Sequence, residues 1–330
     1  ALGVWPQNCP DLINELVVAL NVNREAPVIV DANEKPLREA LQHNFEICRP
    51  SNEALQFIAQ RSGSKELTAL LHADKKADLQ NWLYGRQLVD VIHEFPIRCS
   101  VDEFMPLLKR IQPRLYSIAS SSKEYAQQVH LTVSAVRYER FFNGKKIRKG
   151  VSSTFLADRA DGVDIPIFIQ GNKNFRVPAD GNLPIMMVGP GTGVAPFRGF
   201  LQERRARGDS GKNWLFFGEQ HATTDFYYQD ELEEFQIQGV LTELSLAFSR
   251  DQQQKIYVQD RMRENGEKIW NWIDAEGGYF YVCGDASRMA KDVDNALRDI
   301  IQTYGKFDEA ETANYMRKLN MDKRYVRDVY

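Results

Sequence analysis

The sequence has 330 residues, 43% hydrophobic and 26% charged, the balance of a globular chain long enough for two cores. Its 42 basic and 45 acidic side chains leave a formal charge of −3, so no global electrostatic footprint points to nucleic acid. Four widely spaced cysteines (Cys9, Cys48, Cys99, Cys283) exclude a disulfide scaffold and fit a reducing, cytoplasmic compartment; the five scattered histidines disfavour a metal site, and no apolar run nears the roughly 20 residues that span a bilayer.

The opening ALGVWPQN lacks an initiator Met and enters an apolar segment at once, so a fragment without its preceding strands is expected. Residues 10–100 read as largely helical. DLINELVVALNV carries Leu12, Ile13, Leu16, Val17, Val18 and Leu20 as a broad helical face, and PLREALQHNFEI begins with a proline suited to a first helical turn. SNEALQFIAQRSGS offers Ser51 or Asn52 as a cap and Gly63 as a stop, and ELTALLHADKKADLQNWLYGRQLVDVIHEF and VDEFMPLLKRI supply further helices.

The pattern changes at Pro113. RLYSIASS (114–121) and VHLTVSAVRYER (129–140) have strand-like alternation, NGKKIRKG reads as a basic link, SSTFLADRA as a short helix and DIPIFIQ as another strand. Short strands with one small helix predict an antiparallel barrel. From 184 the rhythm becomes strand, loop, helix: PIMMV, NWLFFG, LTELSLAFS and YFYVCGD each precede a helical stretch, TTDFYYQDELEEFQIQG among them, and KRYVRDVY closes as a tail. Four such units predict a doubly wound parallel sheet, with its ligand beyond the C-terminal strand ends.

Three chemical signals stand out. GPGTGVAP follows its strand directly, so its backbone N–H groups can meet an anion, although no Lys-Ser/Thr ending makes it an ATPase loop. Ser249, Arg250, Lys255 and Tyr257 gather a guanidinium, an ammonium and two hydroxyls near one strand tip, a set suited to a phosphate monoester. Arg114 and Tyr116 share one face of a strand, where an aromatic covers a flat ring or simply packs a core, and Gly150–Ser153 offers donors at a helix start. Cys283 reads equally as a buried small hydrophobe or a cleft residue. One anion site in each half predicts two nucleotide-like ligands meeting at an interdomain cleft.

RLYSIASS, GVSSTFLAD, NFRVP, GPGTGVAPFRGF, FFGEQ, YVCGDASRMAKDV and the terminal RDVY, in this order and spacing, resemble the FAD/NADP-binding module of diflavin reductases across essentially the whole sequence. Among them the resemblance is to flavoprotein components of bacterial NADPH-dependent sulfite reductases. It implies a multidomain chain: residues 1–8 a remnant of an antiparallel β-barrel FAD domain whose N-terminal strands are missing, 9–107 an inserted helical connecting domain, 108–183 the barrel, and 184–330 an α/β doubly wound NADPH domain ending in a flavin-stacking tail. On the flavin side it assigns Arg114, Leu115, Tyr116, Ser117, Thr132, Val133, Ser134, Tyr138 and Gly150, Val151, Ser152, Ser153. On the coenzyme side it assigns Gly191, Thr192, Gly193, then Ser249, Arg250, Lys255, Ile256, Tyr257, Val258 and Gln259 around the 2′-phosphorylated adenosine, and Asp292. Ser117, Cys283 and Asp328 are implied to line the hydride-transfer position and Tyr330 to stack over the flavin.

The resemblance further implies electron transfer from NADPH through FAD to FMN in a flavodoxin-like domain outside this sequence, and on to a haemoprotein beta subunit with sirohaem and a 4Fe-4S cluster that reduces sulfite. It implies a monomeric fragment with no nucleic-acid or membrane partner. The FFGEQH stretch departs from the family by lacking the arginine that many relatives carry after FFG. A reductase module serving another acceptor, a cytochrome or a monooxygenase, shares these motifs; a non-catalytic nucleotide-binding protein is the remote alternative.

Overall fold

The computed structural model describes residues 1–141 and 145–330. Contacts divide the chain into two units, one formed by Leu2–Leu115 with Ser134–Ile169, the other by Ala1, Tyr116–Val133 and Gln170–Tyr330.

The first unit opens with strand β1 (Leu2–Val4) and helix α1 (Pro10–Leu20), followed by β2 (Pro27–Val30) and β3 (Asn33–Pro36). Helices α2 (Leu37–His43), α3 (Asn52–Ser62), α4 (Lys65–Leu70), α5 (Lys76–Leu83), α6 (Leu88–Glu94) and α7 (Val101–Phe104) follow. Leu16, Leu41, Leu55, Ile58, Leu88 and Val91 form the buried centre of this helical part. As expected, Ser51 caps α3 by accepting from the Ala54 N–H, and Gly63 ends it in the left-handed conformation. Strands β4 (Arg114–Tyr116), β5 (Arg137–Phe141) and β6 (Lys145–Lys149), helix α8 (Val151–Asp158) and strand β7 (Ile167–Ile169) complete the segment. β1 pairs antiparallel with β7 in a three-stranded sheet ordered β4-β1-β7, and β5 with β6, so small antiparallel sheets accompany the helices.

Three local expectations need correction here. The hairpin β2–β3 lies within the stretch 10–100 that the sequence pattern predicts as largely helical. The strand expected over 129–140 forms only from Arg137, the earlier part holding a single bridge between Ile118 and Leu131. Within NGKKIRKG, Asn143 and Gly144 lie outside the described residues, while Lys145–Lys149 is a strand rather than a link.

The second unit carries β8 (Ile185–Val188), α9 (Ala195–Arg207), β9 (Asn213–Glu219), α10 (Ala222–Asp225), α11 (Gln229–Ile237), β10 (Glu243–Phe248), α12 (Val258–Glu264), α13 (Gly266–Asp274), β11 (Tyr279–Gly284), α14 (Met289–Gly305), α15 (Glu309–Met321) and β12 (Tyr325–Val329). The five strands form one parallel sheet ordered β10-β9-β8-β11-β12. Alternation along the buried strands sends Met186, Val188, Phe280 and Val282 to one face, under α12 to α15, and Met187, Tyr281 and Cys283 to the other, with α9 and α11. The doubly wound sheet is therefore present, with one strand more than expected: the tail pairs as β12. The single helix expected over TTDFYYQDELEEFQIQG is two, separated by Tyr228 at φ 61°.

Candidate functional site

Parallel strands bring all their C-terminal ends to one edge. The chain leaves β8 toward β9 and leaves β11 toward β12, and the helices that follow β8 and β11 pack on opposite faces, so the switch point lies between these two neighbours. GPGTG ends β8 there. A Cβ on Gly193 would overlap the Cys283 carbonyl oxygen, so only glycine lets this loop lie against the end of β11.

Four of the expected residues converge on this edge. Register places Asp328 of β12 opposite Cys283 of β11. The Ser117 hydroxyl donates to Asp328 Oδ2 at 3.3 Å. Cys283 is completely buried; that burial, then the Asp328 charge, pushes its thiol up to about 12, with Ser117 opposing only in part. The thiol keeps its proton at neutral pH and is no nucleophile. Tyr330 is 65% exposed, yet its N–H donates to the Gly284 carbonyl (3.1 Å) and its carbonyl accepts from the Ala286 N–H (3.1 Å). Its hydroxyl lies 2.9 Å from Thr192 Oγ1 in the glycine loop.

Farther along the edge, Ser249 follows β10 and is tied to Glu219, its N–H 2.8 Å and its hydroxyl 3.3 Å from that carbonyl oxygen. Arg250 and Lys255 are exposed, and neither forms an ion pair among the described residues. Tyr257 caps α12, its N–H donating to Asp260 Oδ2; Ile256 is half-buried, Val258 buried, and Gln259 sits in the first turn. Asp292 is exposed in the first turn of α14.

The flavin-side residues fall in both units. Of those in the second unit, Tyr116 and Val133 are half-buried, and Thr132 Oγ1 lies 2.7 Å from the Tyr228 hydroxyl. Within the first unit, Leu115 and Ser134 are exposed, Arg114 is paired with Glu46 at 3.3 Å, and Tyr138 has its phenol pushed up by burial. At the start of α8, a Cβ on Gly150 would stand 2.8 Å from Ser153 Oγ, which accepts from the Val136 N–H (3.1 Å). Ser152 Oγ is buried with no hydrogen-bond partner. An orphaned hydroxyl beside a glycine-cleared turn fits a phosphate oxygen, so these residues suit the pyrophosphate of FAD.

Sequence reasoning missed three residues of the second unit. Glu219 brings a carboxylate beside Gly191 of the loop. Arg198 is buried and donates to the Ala119 carbonyl (2.7 Å) and His130 Nδ1 (3.0 Å). Its guanidinium also covers Tyr228, Thr132's partner. An arginine in the apolar run APFRGF was the one available signal for that cluster.

Residues 1–155 match the FAD binding domain family and residues 187–295 the oxidoreductase NAD-binding domain family. The whole chain aligns with curated relatives named sulfite reductase [NADPH] flavoprotein alpha-component, at 46% identity in Mannheimia succiniciproducens, Klebsiella pneumoniae and Serratia proteamaculans. It covers 54% of the length of each. The chain thus aligns over its whole length with these flavoprotein alpha-components, and it carries segments that match the FAD-binding and NAD-binding oxidoreductase domain families.

Proposed function

We propose that this chain is an NADPH:flavin oxidoreductase module that takes a hydride from NADPH onto FAD and passes electrons to an FMN-binding flavodoxin-like domain, for sulfite reduction by a partner subunit with sirohaem and a 4Fe-4S cluster. The observation that carries this reading is the Ser117–Asp328–Cys283 cluster at the ends of β11 and β12, beside the glycine loop of β8. Bound FAD supplies the ability to accept two electrons together and release them singly.

The residues need only bind, orient and balance charge. Gly150–Ser153 and Arg114 would hold the flavin pyrophosphate, and Tyr116 would cover the ring. Gly191–Gly193 would receive the coenzyme pyrophosphate; the unpaired Arg250 and Lys255, with Ser249 and Tyr257, would select the 2′-phosphate. Asp328 places negative charge where a nicotinamide becomes cationic on giving up its hydride, and Ser117 fixes that carboxylate by donating to it. Cys283, held protonated, fills the space behind them without reacting. Tyr330 would swing aside to admit the nicotinamide. We assign 9–107 to a helical insert, 108–183 with 1–8 to the flavin domain and 184–330 to the coenzyme domain, in a cytoplasmic protein; among the described residues no helix is long and apolar enough to cross a membrane.

The test is anaerobic titration of the FAD-loaded chain with NADPH. Flavin absorbance should bleach with one equivalent, and Ser117→Ala should slow the bleaching. A chain that binds no FAD, or whose flavin NADPH leaves oxidised, would overturn the reading.

A further inference from the structure

The hydrogen bond between Thr192 and Tyr330 joins the middle of the glycine loop to a residue whose ring is exposed. The main chain of Tyr330 is fixed at both its N–H and its carbonyl, so its side chain is the part free to turn. Two hydroxyls 2.9 Å apart share one proton between them. A phenol is a far stronger acid than an aliphatic alcohol, so Tyr330 is the better donor and Thr192 Oγ1 the better acceptor. Thr192 then has its own proton left over, and a threonine on a loop of backbone donors can give that proton to an anion.

Resting on the coenzyme reading above, we propose that Tyr330 is a positioning residue for pyrophosphate: its phenol orients the Thr192 hydroxyl so that a chain of hydrogen bonds runs from Tyr330 through Thr192 to a phosphate oxygen held by the loop. Donation into Thr192 strengthens donation out of it. The ring that stands in the way of the nicotinamide therefore assists the earlier capture of the coenzyme's diphosphate, and the nicotinamide displaces it afterwards at the cost of one neutral hydrogen bond.

Two probes without a nicotinamide isolate the diphosphate contact from ring displacement. 2′-Phospho-ADP-ribose carries the diphosphate, whereas 2′-AMP carries only the adenosine end. Calorimetric titration of the FAD-loaded chain should show Tyr330→Phe binding 2′-phospho-ADP-ribose about 2- to 10-fold more weakly than the parent, the span of one neutral hydrogen bond, and 2′-AMP equally well. Thr192→Val should lose the same affinity, Thr192→Ser should retain it, and the Tyr330→Phe/Thr192→Val pair should lose no more than Thr192→Val alone. Unchanged or tighter binding of 2′-phospho-ADP-ribose by Tyr330→Phe, or additive losses in the pair, would overturn the proposal while 2′-AMP binding leaves the coenzyme reading standing. Failure of the parent chain to bind either probe would remove both together.

Discussion

Arg148 offers the most direct measure of what holds the first unit together. Its side chain is about nineteen-twentieths buried and reaches Asp90 (Nη2–Oδ1 2.6 Å, Nε–Oδ2 3.1 Å) and Glu15 (Nη1–Oε2 2.7 Å, Nη2–Oε1 3.1 Å). Asp90 also accepts from the Gln87 N–H, and Gln87 Nε2 donates to the Lys149 carbonyl at 3.0 Å, one residue before the Gly150 turn. Replacing Arg148 by Met strands the Asp90 carboxylate almost out of reach of water, while Glu15 keeps Lys146 and His93 beside it. Breaking one side of such a buried pair costs about 3–5 kcal/mol, because the remaining charge is uncompensated. Hydrogen exchange should show the β6 and α6 amides opening about 10²- to 4 × 10³-fold more often in Arg148→Met. In the triple variant Glu15→Gln/Asp90→Leu/Arg148→Met no charge is stranded, and most of the protection should return. Protection in the single variant within threefold of the parent, or a triple variant worse than the single one, would refute the reasoning.

The same network predicts an acid limit. Burial alone would raise the Glu15 pKa, but its hydrogen bonds to Arg148 and Lys146 outweigh that and bring it from 4.5 to about 2. A carboxylate held below its unfolded value stabilises the fold above that value, so the parent should lose about 3 kcal/mol between pH 4.5 and 2, and Glu15→Gln should lack this segment of the urea-stability profile. Cys283 runs the other way: its raised pKa favours the fold below pH 9, and that contribution should fade as pH rises toward about 12, a fading absent from Cys283→Ser. Gly193→Ala should push the glycine loop off the Cys283 carbonyl, lowering the melting temperature and weakening 2′-phospho-ADP-ribose binding. Arg250→Ala should weaken NADPH about 10- to 100-fold, the worth of one charge-assisted contact, and leave NADH binding unchanged.

How much of this was readable in the sequence depended on whether each segment's local chemistry agreed with its packing. α3 was legible because Ser51 and Gly63 fill the cap positions that its geometry requires. The β2–β3 hairpin was not, because its turn places Asp31 and Ala32 in the left-handed region (φ 51° and 63°) where Asn-Gly would have announced it. β12 was read as a tail because it is an edge strand: Tyr325 and Val326 are buried, but Arg327 is exposed and Asp328 serves the site. β6 reverses the usual code altogether, with Ile147 59% exposed and Arg148 4% exposed. No periodicity could expose that, since the partners that make an inward arginine tolerable come from α6 and α1, 58 and 133 residues away in sequence.

The same distinction separates the two halves of the candidate site. GPGTG announces itself because its requirement is steric and local: the loop must lie on the end of β11, and only glycine permits it at position 193. Ser117, Cys283 and Asp328 have no such signature. Each is an ordinary residue in its own segment, and their meaning comes from strand register, which sets Cys283 against Asp328, and from a hydroxyl 211 positions away that donates to that carboxylate. Motif order and spacing pointed to these three through family resemblance, whereas elementary chemistry alone left Cys283 open between core and cleft. The fold buries Cys283 completely, at the end of β11 opposite Asp328. Complete burial favours the protonated thiol, while strand register sets it against Asp328, so a small soft group packs where a charged one would repel the carboxylate that accepts from Ser117.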